Sequence, residues 1–180
     1  DGVRKRILYG DNTDWRGIFN PLKQRITFEN GQKRGIAIIL GSGGTARAAA
    51  FAAKKLGLDL IFYNRTPSKA VELAECFSGR FATSLGERHI DDIILEKFQF
   101  SSSSAENYAS NSLASMLGID VDVKVIISTL PATANFQLPD WFVQNYRGRN
   151  QKPVIFDVNY KPYNTMLLSQ AQSLGFPVVR

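Results

Sequence analysis

Near-continuous apolar runs recur along the chain, divided by stretches with helical spacing. IAIIL at 36–40, LDLIFY at 58–63, VKVIISTL at 123–130 and PVIFDV at 153–158 lack the polar alternation of a half-solvated strand, and so predict strands buried on both faces. A short third strand is expected near RFATSL, and FPVVR at 176–180 begins a final one. Between the runs, TARAAAFAAKKLG at 45–57 predicts an alanine-rich helix closed by Gly57. A second helix starts at Pro67, the favoured first-turn position, and continues through VELAECF; TMLLSQAQSLG at 165–175 predicts another. Strand–helix alternation with short connections implies an α/β fold: a Rossmann-like, doubly wound, mainly parallel sheet with helices on both faces.

The pattern is weaker elsewhere. Residues 86–118 carry no clear periodicity, and SSSSAENYASNS at 101–112 has the composition of a surface loop. Residues 1–33, including the helical stretch DWRGIFNPLKQRI, precede the sheet and read as a connector. That helix needs something to pack on, and a partner domain would serve. The apolar surface around Trp15, Ile18 and Phe19 is therefore expected to be exposed and mobile, or covered by a second copy. Residues 34–180 form the second unit, a dinucleotide-binding domain.

Composition adds exclusions. With 180 residues, 44% hydrophobic and 21% charged, the chain suits a globular domain, and no apolar run approaches the roughly 20 residues that span a bilayer. The lone Cys76 forbids an intrachain disulfide and suits a reducing, cytoplasmic compartment. His89 and Cys76 are too few for a His/Cys metal site, so no metal is expected. The net charge of +6 is dispersed, which favours an anionic small ligand over nucleic acid.

Candidate chemistry begins at GSGGTARA. Gly41, Gly43 and Gly44 fall between a strand and a helix, where glycines allow a tight turn and let backbone N–H groups approach a pyrophosphate. Ser42 and Thr45 complete the turn; Arg47 occupies the position of a usual third glycine. A turn that binds nothing is the plain alternative. About 20 residues on, a dinucleotide site usually places an acid for the adenosine ribose. Here the chain has Asn64, Arg65, Thr66 and Lys69. An acid would repel a 2′-phosphate, whereas a guanidinium binds it in a bidentate way, so the substitution points to NADP. The alternative is a basic, solvated strand end with a Thr cap before Pro67.

GDNTDWRG at 10–17, GSGGTARA, NRTPSKAVELA at 64–74, STLPA at 128–132 and FDVNYKPYNTMLL at 156–168 together resemble the shikimate dehydrogenase family, in the family's order. Within it the chain is similar to the dehydrogenase-like region of fungal pentafunctional arom polypeptides and to the related quinate repressor. The resemblance implies that Asp14 is catalytic, working with a lysine, and that Asn12, Thr13, Asp14 and Tyr160 meet substrate. It implies adenosine-phosphate binding by Asn64, Arg65, Thr66 and Lys69, and passage of Thr129, Leu130 and Pro131 along the nicotinamide side. The family's lysine belongs to an N-terminal substrate domain, and neither Lys5 nor Lys23 sits in its motif. A chain without that lysine and without the family's C-terminal flank is expected to be inactive alone.

Two functions follow from the resemblance. One is the NADP-binding domain of an oxidoreductase converting 3-dehydroshikimate and NADPH to shikimate. The other is a non-catalytic sensor of a quinate-pathway transcriptional repressor, nuclear rather than cytoplasmic. Expected partners are a shikimate- or quinate-class small molecule and other domains of a larger polypeptide, with no membrane and no direct nucleic-acid contact.

Overall fold

The computed structural model describes residues 10, 12–28, 35–86, 112–117 and 122–180. In order these give α1 (Asp14–Lys23), β1 (Ile36–Leu40), α2 (Gly44–Lys55), β2 (Asp59–Tyr63), α3 (Pro67–Phe77), β3 (Arg80–Ala82), α4 (Leu113–Met116), β4 (Val123–Ser128), α5 (Asp140–Asn145), β5 (Val154–Asp157), α6 (Met166–Ser173) and β6 (Val178–Val179). The six strands are parallel and lie in the order β3-β2-β1-β4-β5-β6. The chain therefore reverses its winding between β1 and β4, the place where open α/β sheets leave a crevice beyond the strand ends.

Alternation within β1 divides the core. Ala37 and Ile39 face one layer with α1, α2 and α3, while Ile36, Ile38 and Leu40 face the layer holding Phe142, Leu167 and Phe176. Ala46, Ala49, Ala50, Ala52 and Ala53 of α2 are all fully buried. Alanine leaves so little volume that the helix can approach closely, which removes the need for a third glycine at Arg47. Gly57, at φ +79°, ends this helix as the sequence predicts. The loop expected over 101–112 lies outside the described residues except for Ser112, which bridges to Ser84.

Helix α1 corrects one expectation. It packs on α2 of its own chain: Trp15 meets Phe51 edge-on at 5.2 Å, and Ile18, Leu22 and Ile26 join the buried layer beneath. Ile18 is 4% exposed and Leu22 is fully buried, so this face is neither bare nor dependent on a second copy. The helix accommodates Pro21 internally, at the loss of one backbone donor. Ile18→Val is expected to lower stability by about 0.5–1.5 kcal/mol in urea titration. No measurable loss would mean that α1 does not dock there in solution.

Helix α5 is absent from the sequence expectation. It has only six residues, begins after Pro139, and is held by Phe142, whose ring lies 4.9 Å from Tyr146 and 6.4 Å from Phe176.

Candidate functional site

Strand register brings the candidate residues to one edge. Leu40 pairs with Tyr63 on one side and with Ser128 on the other, and Ser128 pairs with Asp157. The next residues in each strand, Asn64, Gly41, Thr129 and Val158, therefore form a row at intervals of roughly 4.8 Å. Hydrogen bonds tie the row together. Gly41 N–H donates to the Tyr63 carbonyl at 2.9 Å, and the Thr129 N–H and hydroxyl both donate to the Leu40 carbonyl at 2.8 Å.

Gly41 has φ +105°, and a Cβ there would fall against the Thr129 hydroxyl. Glycine is required on both counts. Gly43 and Gly44 differ: a Cβ on either would meet nothing within 4 Å. Their outer side is open space over the start of α2. That helix has no side-chain cap at Gly43 and no acid in its first turn, so its N-terminal N–H groups and partial positive charge are available to an anion. The cradle thus fits a diphosphate.

Beyond β2, Asn64 is half-buried and its Nδ2 donates to the Thr66 carbonyl at 3.0 Å, shaping the entry to α3. Thr66 is the N-cap, but its side chain makes no capping bond. Arg65, Thr66 and Lys69 are exposed, and neither cation has an acidic partner among the described residues. Burial pushes the pKa of the neighbouring Tyr63 phenol above its ordinary value, so that ring stays neutral beside them. Arg47, by contrast, is occupied. Its guanidinium pairs with Glu72 and lies 3.7 Å from Cys76 Sγ, joining α2 to α3. The Cys76 contact first, and Glu72 with it, hold its pKa above the usual range.

On the far side of the row the structure adds residues that carried no role in the sequence reading. Asp157 is 2% exposed. Its Oδ1 accepts from the Asn159 N–H at 3.1 Å and from Asn159 Nδ2 at 2.7 Å, and its Oδ2 accepts from the Thr165 hydroxyl at 2.7 Å. Thr165 also caps α6 by accepting from the Leu168 N–H, and Asn159 Nδ2 reaches the Leu130 carbonyl at 2.8 Å. This network fixes Leu130 and the loop bearing Tyr160. Asp-x-Asn followed by Thr before an apolar helix was the available signal.

The other family positions are less engaged. Tyr160 is 83% exposed, and Pro131 is exposed beside the half-buried Leu130. Asn12, Thr13 and Asp14 are exposed; Asn12 Oδ1 accepts from the Asp14 N–H at 2.8 Å, which sets the start of α1. Among the described residues no cation pairs with the Asp14 carboxylate; Lys23, at the other end of the helix, lies over the Phe19 ring. No group of three metal-ligating side chains occurs among the described residues, and no helix there is long and apolar enough to cross a membrane.

No family model matches the chain. It is 31% identical over 177 residues to the quinate repressor protein of Emericella nidulans, across 93% of this chain and 18% of that protein. The solved dehydroquinate dehydratase and shikimate dehydrogenase of S. pombe AroM superposes with a TM-score of 0.63 at 22% identity, over 94% of this chain and 28% of that one.

The chain has the fold of solved shikimate dehydrogenases. The shikimate 5-dehydrogenase of Thermus thermophilus, solved in complex with NADP(H) and shikimate, shares the fold at a TM-score of 0.55 and 24% identity, over 93% of this chain and 49% of its own. The chain spans 18% of that quinate repressor protein and 10% of the pentafunctional AROM polypeptide of Schizosaccharomyces japonicus, to which it is 30% identical.

Proposed function

We propose that this domain binds NADP within a shikimate dehydrogenase-type oxidoreductase that reduces 3-dehydroshikimate to shikimate. One observation carries the reading: Arg65 and Lys69, without acidic partners among the described residues, stand next to an open glycine turn at the point where the sheet reverses its winding. In this reading the N–H groups at Gly43 and Gly44 hold the diphosphate, and Arg65, Lys69 and the Thr66 hydroxyl hold the 2′-phosphate. Thr129, Leu130 and Pro131 line the nicotinamide side. NADPH, when bound, supplies the hydride. Asp14 binds a substrate hydroxyl and exchanges a proton with it, aided by a lysine from a substrate domain, and Tyr160 closes on the substrate from the loop that Asp157 anchors. The T. thermophilus relative with bound NADP(H) supports the cofactor assignment.

Calorimetric titration tests it. A charge-assisted phosphate contact contributes about 1.5–3 kcal/mol, so NADP is expected to bind at least about tenfold more tightly than NAD. Arg65→Ala should remove most of that preference and leave NAD binding nearly unchanged. Equal affinities in the unaltered domain would refute the role of Arg65.

The match to the quinate repressor protein favours a second reading, a regulatory domain that keeps the fold and senses a quinate-class ligand. A longer chain that binds shikimate or quinate without turnover supports that reading; turnover supports the enzyme. The enzyme belongs in the cytoplasm, the regulator in the nucleus.

A further inference from the structure

A cleft of about 770 Å³ opens at the opposite edge of the sheet, where Val123 and Val154 begin β4 and β5. It lies about 20 Å along the strands from the glycine turn. Among the described residues four cations line it, Arg25, Lys124, Arg149 and Lys152, against one carboxylate, Asp122. Asp122 is 2.8 Å from the Lys124 ammonium.

The other three cations are held by neutral groups. The Arg25 guanidinium donates to the Pro21 carbonyl at 3.1 Å, Lys152 Nζ donates to the Leu174 carbonyl at 2.6 Å, and Arg149 stacks on the Tyr146 ring at 5.2 Å. Carbonyls and rings position a cation without cancelling its charge. Gly175 assists, since a side chain there would crowd the Lys152 ammonium at 3.3 Å. A solvated fringe of lysines would instead leave its head groups free to wander, at a large entropy cost on binding. Here much of that cost is already met by the fold. The volume also falls in the range of small-molecule sites.

We propose that this cleft is a second binding site, separate from the strand-end crevice, for a small oxyanion carrying two or more negative charges, of the diphosphate or phosphate-ester class. Two guanidinium groups and an ammonium suit the several oxygens of such a ligand, and a single negative charge would leave most of the field unanswered.

Amide NMR titration of the chain with inorganic pyrophosphate tests the site. Saturable shifts are expected at residues 122–124 and 148–152. The double variant Arg149→Gln/Lys152→Gln should weaken them at least tenfold, and Arg65→Ala should leave them unchanged. Arg149→Gln alone, at an exposed position, should weaken binding at least threefold and serves if the double variant does not fold. Shifts confined to residues 41–45, equal shifts with acetate, or indifference to Arg149→Gln would overturn the proposal.

Discussion

Asp14→Asn is expected to lower turnover at least about a hundredfold in a longer polypeptide that joins this domain to a lysine-bearing substrate domain, the usual scale of acid–base catalysis. The amide keeps the size and one acceptor oxygen but cannot take a proton from a substrate hydroxyl. The local fold should survive, because α1 is started by the Asn12 side chain accepting from the Asp14 backbone N–H rather than by the Asp14 carboxylate. A loss in kcat with little change in KM or in the thermal midpoint is therefore the predicted signature. The 180-residue chain by itself should give no NADP-dependent oxidation of shikimate or quinate. Its Asp14 carboxylate has no cation beside it among the described residues, and one exposed aspartate cannot offset a rigid-body binding cost of roughly 4 kcal/mol or more. Turnover by this chain alone would show that the proton-transfer groups lie elsewhere.

The second large effect concerns stability. Asp157→Ala should cost about 3–5 kcal/mol in chemical denaturation, since it deletes three hydrogen bonds to a buried carboxylate and strands the Thr165 hydroxyl and the Asn159 backbone N–H. That is a large share of a typical domain's roughly 5–15 kcal/mol. Asp157→Asn should cost less, because the Thr165 hydroxyl can turn and accept from the new amide. A loss below about 1 kcal/mol for Asp157→Ala would mean that water replaces the network.

These two residues also show what one-dimensional reading captures. The strands were legible because β1 and β4 are buried on both faces, and burial of that kind forces continuous apolar runs. The glycine turn was legible because backbone geometry restricts residue choice at Gly41. The role of Asp157 was not, because its partners gather only when the loop returns to cap α6. Arg47 resisted for the same reason: its partner Glu72 is set by the spacing of two helices. The docking of α1 was hidden as well. Its apolar face announced a partner, and only the third dimension showed that α2 already provides one.

The bonds that lash Gly41 to Tyr63 and Thr129 to Leu40 also bear on binding kinetics. A turn held on both sides by its neighbours has given up its conformational freedom during folding, so an arriving ligand need not wait for a rare open or closed arrangement. Encounter should then proceed at nearly the same rate for related nucleotides, governed by diffusion and by the field of the basic rim. Discrimination among them would appear in how long each one stays, and residence time, measured by surface-based kinetics, is where Arg65 and Lys69 should leave their mark.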